Sequence, residues 1–70
     1  MNNLHVQRRK RAPEAAAYVG LSASTLAKYR VFGGGPRYLK LGRRVVYEES
    51  DLDVWLASHK HGSTSEYANA

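Results

Sequence analysis

The side chains best suited to binding chemistry are cationic, and they are concentrated in one part of the chain. Ten of the eleven Lys and Arg residues lie in residues 8–44, where Glu14 is the single acid, and four of the six acids follow in residues 48–53. The 70-residue chain has a net charge of +5. A basic excess on so small a chain indicates a polyanionic partner, most commonly nucleic acid. An acidic membrane surface is the alternative that charge alone leaves open.

Other kinds of chemistry lack the residues that they need. The chain has no Cys, and His5, His59 and His61 are too scattered to form a metal site. The glycines at 33–35 are not followed by the Lys-Ser/Thr pair of a phosphate-binding loop. No Ser-His-Asp arrangement is present either. We therefore expect neither an enzyme nor a bound cofactor or metal.

The sequence shows neither a membrane-spanning segment nor a secretory signal. No apolar run approaches the ~20 residues that a membrane-spanning helix needs. Residues 1–5 lack the apolar stretch of a secretory signal. We therefore expect a cytoplasmic protein. A membrane partner is not expected either, because binding to a membrane surface needs a long amphipathic helix with cations along its apolar face, whereas the helices of this sequence are short.

The first half of the chain predicts two short helices that could position part of the charge. Pro13 favours a helix start, and Gly20 favours its end, which predicts a helix over about 13–19. Ser22 stands where an N-cap belongs, ahead of a second helix over about 23–31. Within this second helix, Leu26 and Tyr29 are three residues apart and share one face. Ser24, Thr25 and Lys28 project the other way.

The residues between the two helices have the spacing of a helix-turn-helix. Ala16 is small enough for a second helix to cross close over the first, and Gly20 can take the turn conformation that a Cβ disfavours. Leu21 and Leu26 can then seal the corner. An ordinary corner between two helices is the alternative, and the basic hairpin that follows favours DNA binding.

The second half predicts a β-hairpin and a third helix. Two β-rich runs, 38–41 and 45–47, are separated by Gly42 and two arginines. The third helix begins with Ser50 as N-cap or a residue or two earlier. We divide the chain into a flexible basic arm (1–11), a folded domain (12–58) and a disordered tail (59–70).

Three sequence runs carry a resemblance to a known family. EAAAYVGLSASTLAKYR, GGGPRYLKLGRRVVY and EESDLDVWLASH resemble the small excisionase-type helix-turn-helix proteins, in the winged-helix superfamily of the mercury-resistance-type regulators. The resemblance covers residues 12–58. It implies an α+β fold, a winged helix-turn-helix with a two-stranded β-hairpin as the wing and a C-terminal helix. It also implies that the second helix enters the major groove of double-stranded DNA.

The family resemblance implies two functions. Such proteins, commonly encoded by phages, plasmids and integrative elements, act as recombination directionality factors or as transcriptional regulators. We expect a cytoplasmic, nucleoid-associated excisionase that binds adjacent sites, bends DNA, directs a site-specific recombinase (integrase) toward excision and self-associates cooperatively on DNA. A small regulator at a promoter is the alternative. Because no heptad stripe follows Leu56, we expect neither the dimerisation helix nor the small-molecule effector of the longer regulators.

The resemblance also suggests roles for individual side chains. The base-contact candidates are Ala23, Ser24, Thr25 and Lys28. The candidates for contacts from the wing and to the DNA backbone are Arg30, Arg37, Tyr38, Lys40, Arg43 and Arg44. The arm, Arg8, Arg9, Lys10 and Arg11, could enter a minor groove or contact phosphates. Structural alternatives remain for several of them: hydroxyls can cap the helix, Arg30 can complement the helix dipole, and charges at the hairpin tip can keep its edge soluble.

Overall fold

The computed structural model describes residues 8–61, which contain three helices and three short strands. In chain order these are β1 (Arg9–Arg11), α1 (Ala12–Val19), α2 (Ala23–Phe32), β2 (Leu39–Leu41), β3 (Arg44–Glu48) and α3 (Glu49–Ala57). Every element predicted from the sequence is present, and β1 is an addition. Residues 1–7 and 62–70, which include most of the predicted arm and tail, lie outside the described residues.

The corner between α1 and α2 is built from local backbone signals. Gly20 takes a left-handed conformation with φ of 81°, and the Leu21 amide donates to the Ala16 carbonyl oxygen at 2.8 Å. This Schellman-type ending favours Gly because a Cβ is penalised at positive φ. The hydroxyl of Ser22 then accepts the Thr25 amide at 3.1 Å, which confirms the predicted N-cap of α2.

The three strands form one antiparallel sheet in the order β1-β3-β2. The structure thus places Arg9–Arg11 in a strand rather than in a flexible arm, and the expected two-stranded wing is part of a three-stranded sheet. Three residues are too few to show the alternation of a strand in the sequence. The strand conformation of β1 is therefore set by its pairing with β3. In addition to the pairing with β3, the Glu49 amide donates to the Arg8 carbonyl oxygen at 2.8 Å.

The core lies where the three helices meet one face of β3. Ala15, Ala16, Leu26, Tyr47 and Leu52 form its buried cluster. Tyr47 is fully buried and is the largest side chain in that cluster. Four further aromatic and aliphatic side chains of these elements are half-buried: Tyr29, Leu39, Trp55 and Leu56.

The C-terminal helix closes the domain against α1 and β3. It begins at Glu49 with Glu48 as the N-cap residue, so the earlier of the two predicted starts is correct. The hydroxyl of Tyr18 on α1 donates to Asp53 Oδ1 on α3 at 2.6 Å. Two helices joined by a tight turn, a hairpin wing (β2, β3 and the turn between them) and a closing helix make an α+β winged helix-turn-helix.

The described residues that follow α3 include one that packs against it. The ring of His59, which the sequence placed at the start of a disordered tail, lies 4.4 Å from the Trp55 ring centroid to centroid. Its Nδ1 is 2.8 Å from the Trp55 carbonyl oxygen. Across residues 8–61, the structure has no helix of the length and apolarity that crossing a membrane requires.

Candidate nucleic-acid interface

One face of α2 carries an exposed stripe of side chains. Ser24, Lys28 and Val31 are spaced by four and three residues, so they lie above one another on the helix, and Phe32 follows Lys28 by four. All four are exposed. We call this set the exposed stripe. It combines a hydroxyl, an ammonium and two apolar groups on a surface that no other described element covers.

The polar end of the stripe has the chemistry to recognise bases. Lys28 can donate to guanine acceptors, and Ser24 can donate or accept. Ala23, also exposed, precedes them at the start of the helix. Both neighbouring hydroxyls contact Ser22: Ser24 Oγ lies 3.3 Å from Ser22 Oγ, and Thr25 Oγ1 accepts the Ser22 hydroxyl at 2.9 Å. Thr25 differs from Ser24 in being half-buried. Its hydroxyl already serves the N-cap, the structural alternative for this residue.

The apolar end of the stripe was missed by the sequence predictions. Val31 is 74% exposed and Phe32 is 82% exposed, although their residue types favour burial. A helical wheel of residues 23–32 would have found them, since it places both beside Ser24 and Lys28 and opposite the buried Leu26. Apolar side chains at such a position can contact the methyl group of thymine.

The opposite face of α2 is held to the loop before the wing and to α3. The rings of Tyr29 and Trp55 meet edge to face with centroids 5.3 Å apart, and Trp55 Nε1 donates to the Gly34 carbonyl oxygen at 2.8 Å. At Gly35 a Cβ would lie 2.5 Å from the Tyr29 Cβ. The loop therefore packs directly against the Tyr29 side chain at its Cβ.

Arg30 has a partner inside the protein. Its Nη1 donates to the hydroxyl of Tyr47 at 2.7 Å, and the guanidinium carbon lies 6.0 Å from the centre of the Tyr47 ring. Because Tyr47 is fully buried and Arg30 half-buried, this contact ties α2 to the sheet. The sequence proposed a phosphate contact for Arg30, and the structure gives the side chain a structural role.

The wing presents its cations around the turn between β2 and β3. Gly42 has φ of 63°, which a turn of this kind requires, and Arg43 and Arg44 follow it, both exposed. Lys40 is also exposed and pairs with Val45 across the hairpin. These three cations therefore project from the wing without burial.

The two candidates that precede β2 have different surroundings. Arg37 is exposed and lines a groove between the loop and α3. No residue of the wing turn lines this groove. Tyr38 is 42% exposed, and its ring centroid lies 6.0 Å from that of Tyr47. Tyr38 thus packs with its ring while keeping part of the side chain in solvent.

The four cations predicted as an arm do not form one group. Arg9 Nη2 lies 3.6 Å from Glu48 Oε2, and Lys10 Nζ lies 3.3 Å from Glu49 Oε2. Arg8 is exposed just before β1, and Arg11 ends that strand. Arg11 lines a cleft with Arg43 and Arg44, beside the wing turn. The structure therefore separates Arg11 from Arg9 and Lys10.

The contact between α1 and α3 raises the pKa of a tyrosine, Tyr18. The hydrogen bond to Asp53, together with the negative charges of Asp53 and Glu49, raises the pKa of Tyr18 to about 12. Tyr18 therefore stays protonated, and keeps donating to Asp53, up to a higher pH than an ordinary tyrosine does. Among the residues that the structure describes, no group of His, Cys, Asp or Glu side chains could hold a metal ion.

Comparison with known proteins bears on the same elements. A family model described as a helix-turn-helix domain matches residues 11–60. The match spans both helices of the corner, the wing and α3. A search of curated proteins finds no match to the chain.

Proposed function

The chain belongs to the helix-turn-helix domain family, and from that premise we propose that it is an excisionase, a recombination directionality factor that binds double-stranded DNA sequence-specifically. Membership of the family supports sequence-specific DNA binding. The narrower proposal is that several copies bind adjacent sites, bend the DNA and direct an integrase-type recombinase toward excision of a mobile element. A bacterial, phage or plasmid origin and a nucleoid location accompany this proposal.

The observation that carries DNA recognition is the exposed stripe on α2. Ser24 lies in the first turn and Lys28 in the second turn of α2, the second helix of the corner. The N-terminal part of this helix contacts base edges in helix-turn-helix complexes. The hydroxyl and ammonium groups of these two residues are unburied, while the opposite face of the helix is fixed by Tyr29 and Arg30. A rigid helix with an open polar face suits insertion into a major groove. We propose base contacts from Ala23, Ser24 and Lys28, and methyl contacts from Val31 and Phe32.

The wing supports the bending part of the proposal. Arg43 and Arg44 are exposed at the turn, and guanidinium groups at such a position bind phosphates or a narrow minor groove. Contacts from α2 in one groove and from the wing beside it would favour curved DNA. Bending a site costs about 1–6 kcal/mol, which the added contacts can offset.

Selection of duplexes from a random library, followed by sequencing and footprinting, tests the function. Direct repeats at close and regular spacing, with protection that spreads between copies, would support cooperative assembly and excision. A single site or an inverted pair would favour a promoter-binding regulator instead. Recovery of no motif would contradict sequence-specific recognition by α2.

Lys28→Ala tests the assignment of α2 as the base-reading helix. We expect this variant to lose about 1–3 kcal/mol of binding free energy on the selected site and to discriminate less against other duplexes, because a base contact is sequence-dependent. Fluorescence anisotropy with selected and random duplexes measures both. Lys60→Ala, which removes the same charge from an exposed position beyond α3, is the control. Equal losses on the two duplexes would refute the assignment.

A further inference from the structure

The end of the sheet next to the wing turn brings together arginines from distant parts of the sequence. Since β1 and β3 are antiparallel and Arg11 pairs with Val46, the last residue of β1 lies beside the middle of β3, and it is the β1 residue nearest to the start of β3 at Arg44. Arg44 is two residues before Val46 and is therefore on the same face of the sheet as Arg11. Arg43 belongs to the turn immediately before it.

These three side chains line a common cleft. One part of it is lined by Arg11, Leu41, Arg43 and Arg44. An adjoining part is lined by the same three arginines with Ala12, Pro13, Arg30 and Val45. Neither lining contains an acidic residue. We call Arg11, Arg43 and Arg44 the arginine cleft. Glu14 is close by, but its Oε1 accepts the backbone amide of Arg11 at 3.2 Å, and neither salt bridge of the described residues joins it to the Arg11 guanidinium. Three like charges in one cleft repel one another, and an anion bound among them would relieve that repulsion.

The neighbouring cations of β1 have a different electrostatic environment. Arg9 pairs with Glu48, and Lys10 pairs with Glu49 and also lies 5.0 Å above the ring of Tyr18. Neither of the two salt bridges within residues 8–61 includes a member of the arginine cleft. Within one strand, therefore, the structure neutralises two cations and leaves Arg11 available to an anion.

We infer that the arginine cleft is a composite site for neighbouring phosphates of the DNA backbone, in which Arg11 of β1 acts together with the wing, while Arg9 and Lys10 remain in their ion pairs. This inference rests on the proposed DNA-binding function. Arg11 then binds from a fixed position in the sheet, and the four cations of residues 8–11 are not an equivalent set in a flexible arm. Each ligand is a phosphodiester group, so the contact carries no base preference.

Salt dependence of DNA binding by the full chain provides the test. Each phosphate contact contributes about 0.9 to the slope of log affinity against log salt. We expect R11Q, R43Q and R44Q each to lower this slope by about 0.9. The change should be the same on selected and random duplexes. Between 50 and 200 mM salt, the wild type should therefore weaken roughly 3.5-fold more than R11Q.

R9Q is the matched control. It lies on the same strand and the same face as Arg11, and either substitution changes the net charge from +5 to +4, so a general charge effect is equal in the two variants. We expect R9Q to leave the slope unchanged. Thermal melting followed by circular dichroism checks that each variant is folded at the temperature of the binding assay.

The outcomes separate the inference from the function on which it rests. Equal slope changes in R9Q and R11Q would mean that these cations act alike, as in the predicted arm. This result would overturn the inference. A change in R43Q without one in R11Q would overturn the composite site while leaving DNA binding intact. If the wild-type chain binds neither duplex, both the proposed function and the inference are wrong.

Discussion

Replacing Arg30 by Met tests whether this side chain supports the domain or contacts DNA. Arg30 Nη1 donates to the Tyr47 hydroxyl at 2.7 Å, and Tyr47 is fully buried. Met keeps much of the length and apolar surface of the Arg side chain but removes the donor. The variant therefore leaves the Tyr47 hydroxyl buried without the partner that the structure records for it.

The size of the effect follows from that buried hydroxyl. Leaving a buried polar group unsatisfied costs about 1–3 kcal/mol, whereas removing both partners together can be nearly neutral. We therefore expect Arg30→Met to lower the free energy of unfolding by about 1–3 kcal/mol. The double variant Arg30→Met/Tyr47→Phe should be less destabilised than the sum of the two single variants. In a domain of this size, each kcal/mol corresponds to about 4–8 °C in Tm.

Urea unfolding monitored by fluorescence measures these free energies, because Trp55 is the single tryptophan of the chain. The four proteins of the cycle, wild type, both single variants and the double variant, give the coupling between Arg30 and Tyr47 directly. DNA affinity is measured in parallel at a temperature at which all four proteins are folded. Arg30→Lys keeps the charge but loses the planar donor, and it separates a charge effect from the hydrogen bond.

Two results would refute the structural role. If Arg30→Met leaves the unfolding midpoint unchanged and lowers the salt slope of DNA binding by about 0.9, Arg30 contacts a phosphate. If the double variant loses the full sum of the single losses, the hydrogen bond to Tyr47 does not couple α2 to the sheet. Loss of stability without a change in salt slope is the outcome that the structure predicts.

Two further predictions concern the contacts that hold α2 and α3 in place. Gly35→Ala would put a methyl group 2.5 Å from the Tyr29 Cβ, and we expect a loss of about 1–3 kcal/mol, seen as a lower urea midpoint; an unchanged midpoint would mean that the loop relaxes freely. For Tyr18, the folded-state pKa of about 12 exceeds the usual 10.0, so its stabilising effect is complete below pH 10 and is lost as the pH rises through 12. Urea titrations across that interval should show a smaller alkaline decline in Tyr18→Phe than in the wild type, and identical declines would contradict the role of Asp53.

The helix-turn-helix corner was predictable because its signals are local. Gly20 ends α1 through its own backbone conformation, and Ser22 begins α2 through a hydrogen bond to Thr25 only three residues away. The exposed polar face of α2 also follows from spacing within one helix. In contrast, β1 has only three residues and acquires its conformation from β3, which lies more than thirty residues later in the chain.

Contacts between distant residues decided the roles that the sequence could not assign. Arg30 and Tyr47 are 17 residues apart, and Tyr18 and Asp53 are 35 apart, so no periodic pattern links the members of either pair. A sequence could identify each as basic, aromatic or acidic without indicating the contact. The predicted phosphate role of Arg30 is the case in which such a distant partner matters most.

The net charge of the chain is a poor guide to its binding surface, because it does not show which cations are paired with acids. The sequence counts eleven cations, but a cation paired with a nearby carboxylate attracts a phosphate less than an unpaired one does, because the acid repels the phosphate. β1 shows this within three residues: Arg9 and Lys10 face Glu48 and Glu49, and Arg11 faces the arginines of the wing. The acidic start of α3 thus has a function in the fold. It pairs with Arg9 and Lys10, so that Arg11 is the one cation of β1 outside these two ion pairs.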